Sequence, residues 1–257
     1  MILAIDVGNT NTVLGLMPQH GGAPAASWRL SSHRERTADE WRGLLDPILG
    51  PHIADGIIGG VIIGSVVPAV TGPLITLCEQ WLGLSPLIVS SALDLGITLG
   101  QKQPQEVGAD RIANAVAAWD RAGGACVVID LGTATKIEAI DDSGCFRGGI
   151  IAPGLGVSRD ALATRAARLF AVDLTAPAAV IGRDTMSAVQ SGVVLGHTRM
   201  VEGLVADVLA ELGGGAPIFL TGGHAAAIQG TLRLDTDVIP DLTLLGLRLL
   251  YRRNARG

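Results

Sequence analysis

Two stretches far apart in the chain open in the same way, and this repeat constrains the fold more than any other feature. Ile5-Asp6-Val7-Gly8-Asn9-Thr10-Asn11-Thr12 and Ile129-Asp130-Leu131-Gly132-Thr133-Ala134-Thr135-Lys136 each bring an apolar run to Asp-x-Gly. Each then turns through small residues towards a second apolar run. One such turn is ordinary hairpin chemistry. Two of them, each inside a β-β-β-α pattern, point to an internal duplication. Around the first, residues 2–7, 13–17 and 27–31 read as short strands separated by turn residues. A helix is predicted from about Thr37, where Thr37-Ala38-Asp39-Glu40 has the spacing of a capping box. Buried strands at 60–67 and 86–90 flank a second helix. Around the second turn, 125–131, 136–141 and 145–152 are the three strands. A helix near 196–212 sets Met200, Val201, Leu204, Val205, Val208, Leu209 and Leu212 on one face. A strand at 216–220 and a helix near 241–252 complete the pattern. The boundary is expected near Pro104–Val107, giving half-domains 1–105 and 106–257.

Composition excludes several functions. Apolar residues make up 48% of the chain and charged ones 17%, enough material for a core and too little charge for disorder. The net charge of −5 and the lack of a Lys/Arg cluster argue against nucleic acid or an anionic membrane as partner. The apolar start is ended by Asp6 before a signal core or a span can form, and the apolar run 59–70 is too short to cross a bilayer. Cys78, Cys126 and Cys145 are an odd count without metal spacing and fit a reducing compartment. A cytoplasmic protein is expected. Lys102 and Lys136 are the only lysines and neither follows a glycine, so a Walker A loop is absent. The histidines (20, 33, 52, 197 and 224) lack metal-ligand spacing, and no Gly-x-Ser-x-Gly elbow occurs. His224 reads as a turn residue, and the basic residues from Arg29 to Arg36 as a solvated face.

The hairpin turns suit a polyphosphate. Gly, Asn and Thr at a tip present N–H groups and hydroxyls without bulk. An Asp just before the turn suits a phosphate-bound Mg²⁺, directly or through water. Thr221-Gly222-Gly223-His224-Ala225 sits at a strand-to-helix turn that either lets a flat ring approach or is a plain left-handed turn. Asp110, which opens a helical run, has two readings: a helix-terminal charge, or a base for a substrate hydroxyl with Arg111 binding an anionic group beside it.

Several segments together resemble type III pantothenate kinases. They are Asp6–Val13, Arg36–Glu40, Ser65–Pro68, Glu106–Ala118, Asp130–Thr135, Gly148–Gly154, Ile181–Thr185, Gln190–Gly192 and Thr221–Gly223, in the family's order along essentially the whole chain. The resemblance implies an α/β architecture: a duplicated ribonuclease H-like (actin-like ATPase) fold with two half-domains around a nucleotide cleft, usually as a homodimer. It implies phosphorylation of pantothenate by ATP with Mg²⁺, the first step towards coenzyme A. By position, Asp6, Val7, Gly8, Asn9, Thr10, Asn11, Thr12, Val13 and Thr133 would bind ATP, and Asp6 and Asp130 would face metal. Asp130 would sit at a monovalent-cation site for K⁺ or NH₄⁺. Asp110 would be the general base, and Gln101, Gly108, Ala109, Asp110, Arg111 and Thr185 would line the pantothenate pocket. The chain departs from the family at Gln101 (usually Tyr), Lys102 (often Asp), Lys136 and Glu138 in the second turn, and Phe170 (usually Pro). Lys136 has two readings: a solvent-facing residue at a strand edge, or an ammonium standing in for the cation. A same-fold kinase for another small hydroxylated substrate, and a catalytically weak binding or regulatory relative, are the alternative functions.

Overall fold

The computed structural model describes residues 1–165 and 172–255; Phe170 lies outside them. In chain order the strands are β1 (Ile2–Val7), β2 (Asn11–Met17), β3 (Ala26–Ser31), β4 (Gly60–Ser65), β5 (Leu87–Ile88), β6 (Thr98–Leu99), β7 (Cys126–Leu131), β8 (Ala134–Ile140), β9 (Cys145–Pro153), β10 (Ile218–Thr221) and β11 (Asp237–Val238). The helices are α1 (Ala38–Ala54), α2 (Pro68–Leu77), α3 (Ala109–Ala122), α4 (Leu155–Arg165), α5 (Thr185–Gln190), α6 (Gly196–Glu211), α7 (Ala225–Gln229) and α8 (Leu242–Asn254). The compact units are Met1–Asp120 with Asp241–Gly257, and Arg121–Pro240. This division differs from one at residue 105 by placing α3 and α8 with the first sheet.

Within the first unit the strand order is β3-β2-β1-β4-β5, with β2 antiparallel to both neighbours and β1, β4 and β5 parallel. Within the second, β9-β8-β7-β10-β11 repeats that order and those directions. The two sheets are therefore the same motif used twice, as the repeated openings predict.

Alternation along the strands assigns each sheet two faces. Leu3, Ile5, Val7, Val61 and Ile63 share a buried cluster with Trp41, Leu45 and Leu49 of α1 and Val70, Leu74 and Leu77 of α2. The α1 helix starts at the predicted capping box: the Thr37 side chain accepts from the Glu40 amide while the Glu40 carboxylate accepts from the Thr37 amide. The opposite face receives α8. A Cβ on Gly15, Gly60 or Gly64 would strike Leu244, Tyr251 or Leu247 of that helix. Asp6 pairs in register with Gly64, so it lies on this second face. In the second unit Val127, Ile129, Leu131 and Ile137 pack with Val201 and Val205 of α6, and the other predicted α6 positions pack around them. No helix among the described residues is long and apolar enough to cross a membrane.

Candidate functional site

The first hairpin is closed by a Gly8 amide donating to the Asn11 carbonyl at 2.9 Å. Asn9 and Thr10 project at its tip as exposed residues, while Asp6, Gly8, Asn11 and Val13 are half-buried. Arg34 donates to the Asn9 side chain at 3.2 Å, and Arg36 lies over the Trp41 ring. These two members of the basic stretch are tied to the fold, while Arg34 stays exposed to solvent. Thr12 is fully buried, its hydroxyl 2.8 Å from that of Ser32.

Asp110 comes to the same end of the same unit. β1 and β4 run in parallel, and the Val66 amide donates to the Val7 carbonyl, so the carboxyl ends of both strands lie together. There Gly108 abuts Val66, and Gly64 abuts Ala109 at the start of α3. A Cβ on Gly108 would fall 2.6 Å from the Asp110 carboxylate and 3.2 Å from Val66. The carboxylate accepts from the Arg111 amide at 2.9 Å. The first turn of α3 thus carries a half-buried carboxylate beside the strand end that bears Asp6.

A depression of about 290 Å³ is lined by Gln101, Lys102, Gln103, Glu106, Val107 and Arg111. Two cationic side chains and one carboxylate face a small volume next to Asp110 in the chain, a composition suited to a small anionic molecule with hydrogen-bonding groups. Of the expected substrate residues, Gln101 and Arg111 line it, Gly108 to Asp110 adjoin Arg111, and Thr185 belongs to the other unit. Thr185 is exposed at the start of α5, behind an Asp184 cap that accepts from the Ser187 amide.

The second hairpin is one residue shorter than the first. Val7 pairs with Thr12 there, and Leu131 with Thr135 here, so the counterpart of Thr12 is Thr135 and not Lys136. This corrects the position-by-position reading of the two openings by one residue at their ends. The Gly132 amide donates to the Ala134 carbonyl, and Thr133 stands exposed at the tip. Asp130 pairs across the ladder with Lys136, and the Lys136 ammonium lies 2.7 Å from the Asp130 carboxylate. Both side chains are 13% exposed. Since β8 runs between β7 and β9, Lys136 is not on a sheet edge, and the solvent-facing reading is set aside. Glu138, next along that face of β8, is fully buried.

Sequence reasoning missed what stands behind this turn. His197 of α6 is buried with its Nε2 2.8 Å from the Thr135 hydroxyl. Burial, and then the nearby His224, lower its pKa. His224 Nδ1 is 3.4 Å from the Gly132 carbonyl. These contacts span 62 and 92 residues, so no local pattern announces them. Burial pushes the Cys78 and Cys126 thiols up to about 12, which makes both poor nucleophiles.

Metal fit follows from the donors present. Among the described residues no group of three or more His, Cys, Asp or Glu is placed to hold an ion. A Mg²⁺ here would therefore take most of its oxygens from a nucleotide and water, which suits that ion. A monovalent cation at Asp130 fits poorly, because a lysine ammonium already lies against that carboxylate.

Comparison with known proteins bears on the whole chain. A family model described as type III pantothenate kinase matches residues 2–207. A type III pantothenate kinase of Thermomicrobium roseum is 43% identical over 258 residues, covering 100% of this chain and 99% of the relative. Among solved structures, a Campylobacter jejuni protein described as a Baf-family transcriptional activator superposes with a TM-score of 0.60 at 18% identity, covering 97% of each chain. A Listeria monocytogenes protein described as an N-acetylmannosamine kinase gives 0.54 at 15%, covering 97% of this chain and 98% of that one. At such identities the two structural likenesses concern the fold, which is the duplicated ribonuclease H-like one.

Proposed function

The chain belongs to the type III pantothenate kinase family, and on that premise we propose that it transfers the γ-phosphoryl group of ATP to the primary hydroxyl of pantothenate. The product, 4′-phosphopantothenate, begins coenzyme A biosynthesis. One observation carries the residue assignment: the Asp6–Val13 turn, Asp110 and a cation-lined depression gather at one end of the β1–β4 sheet.

In this reading the turn from Asp6 through Val7, Gly8, Asn9, Thr10, Asn11 and Thr12 to Val13 offers amides and hydroxyls to phosphate oxygens. Asp6 would hold the Mg²⁺ of the bound nucleotide, through water, and the ion would supply neutralisation of the phosphate charge. Pantothenate lies along Gln101 and Gly108–Arg111. Its carboxylate is drawn by the Arg111 guanidinium and the Lys102 ammonium. Asp110 orients the hydroxyl and takes its proton as the oxygen bonds to the γ-phosphorus and the bond to ADP breaks. The protein works as a homodimer; Val180, Ile181 and Met186, which are 74%, 83% and 50% exposed, are apolar surface of the kind an interface covers.

Measuring ADP release with ATP and pantothenate tests the reaction, and Asp110→Asn tests the base. The amide keeps the shape but takes no proton, so turnover is expected to fall ~10²–10⁴-fold. Nucleotide affinity and melting temperature should hold. A variant that turns over normally but melts earlier would make Asp110 a purely structural helix-terminal charge.

A further inference from the structure

The resemblance implies a monovalent cation at Asp130, yet the ladder sets a lysine directly opposite that residue. Asp130 and Lys136 are partners across β7 and β8, and their charged atoms are 2.7 Å apart, the length of a charge-assisted hydrogen bond. With 13% exposure on each side chain, water screens the pair little. A potassium ion has the charge of the ammonium and would have to displace it to reach the same oxygen. The stem of Lys136 is anchored in a strand paired on both sides, Asp130 on one and Ile151 on the other, so the charge is delivered to a fixed place. That place is two residues before the Gly132–Ala134 turn, whose Thr133 tip is exposed.

We infer that Lys136 is a built-in monovalent cation, tethered at Asp130 beneath the second phosphate turn, and that it makes the enzyme independent of potassium and ammonium ions. The same pair gives the converse. With Lys136 in place, its ammonium stands against Asp130. Without it Asp130 loses that ammonium, a setting that draws in a mobile cation. Lys136 acts through Asp130 and the turn, so it is a positioning residue, and its signature is cation specificity rather than loss of activity alone.

The test compares sodium, potassium and ammonium chloride at equal ionic strength, reading both turnover and melting temperature. The turnover arm rests on the pantothenate kinase reading; the melting arm does not. Wild-type protein is expected to give the same turnover and the same melting temperature in all three salts. Lys136→Thr is expected to lose on the order of 10²-fold in sodium, as for removal of one fixed electrostatic group. It should then regain part of that loss, and melt higher, as potassium or ammonium is added to saturation. Lys136→Met, which keeps the stem and removes the charge, repeats the comparison if the threonine variant folds poorly. Saturable potassium activation of the wild type with a rise in its melting temperature would overturn the inference. So would a Lys136 variant with wild-type turnover in sodium and no response to potassium. Wild-type protein inactive on pantothenate in every salt would instead remove the proposed function, and its melting response to potassium would still decide the cation question.

Discussion

At Gly108 a single hydrogen atom stands where any other residue has a carbon. That missing Cβ leaves room for the Asp110 carboxylate, which would otherwise lie 2.6 Å away, with Val66 closing the other side. Since the neighbour on one side is a movable carboxylate, Gly108→Ala is expected to shift Asp110 rather than unfold α3. With Asp110 in its proposed role as base, misplacing it by about 1 Å costs on the order of 10²-fold. Steady-state kinetics should therefore show a large fall in kcat with only a small change in Tm. His197 gives a second residue-scale expectation. Its folded-state pKa is lowered by burial and then by His224, so the unfolded chain binds its proton first. The stability it supports is complete above about pH 6.5, the ordinary histidine value, and declines as pH falls towards the folded value. Melting curves from pH 8 down to pH 5 should show a decline that His197→Gln reduces. Asp6, Asp110 and Asp130 stand out as candidates in the chain because each sits in a short local motif. The direction of Lys136 could not be read there, because a one-residue error in register reverses a strand side chain, and the Thr135–His197 contact has no local signature at all.

The hairpins show how an element can be legible in kind and not in detail. Both were predictable from Asp-x-Gly and the flanking apolar runs. Their difference in length was not, since four residues separate Val7 from Thr12 and three separate Leu131 from Thr135. Only cross-strand pairing reveals that the two buried threonines correspond. The β10–α7 turn was open between two readings, ring approach and plain left-handed turn. Gly222 has φ +98° and its missing Cβ would lie 2.5 Å from the Leu131 amide nitrogen, where the turn presses on the end of β7. Backbone geometry alone therefore requires this glycine, whatever ligand approaches. Neither the φ value nor the Leu131 backbone can yield as a flexible side chain can. Gly222→Ala is accordingly expected to cost more than about 2 kcal/mol, combining strain at a special φ with overpacking. Urea denaturation should show the loss directly, and an unchanged midpoint would mean the turn is able to relax.

The helix α8 packs on the first sheet although it follows the whole second unit in the chain. Leu244, Leu247 and Leu250 of α8 are buried, and the helix lies on β1, β2 and β4, meeting Gly15 of β2 and Gly60 and Gly64 of β4. Thr243 donates to Asn114 of α3 at 2.8 Å, and Gly246 meets the Ala113 backbone so closely that no Cβ fits between them. A division at residue 105 put α3 and α8 with the second half, because an apolar helix near the C-terminus carries no mark of the sheet it will cover. Closure of the first unit thus depends on a segment separated from it by the whole of Arg121–Pro240. The tryptophans make this testable, for all four, Trp28, Trp41, Trp81 and Trp119, fall within Met1–Asp120. Their emission reports on that unit alone, whereas far-ultraviolet circular dichroism reports on both. Gly246→Val forces a branched side chain against a backbone, and overpacking of this kind costs typically about 1–3 kcal/mol or more. In urea the tryptophan transition of the variant should move to lower denaturant than the dichroism transition, a loss of coincidence that marks departure from two-state unfolding. Coincident curves shifted together would mean that the two units unfold as one, and coincident unshifted curves that α8 does not hold the first sheet closed.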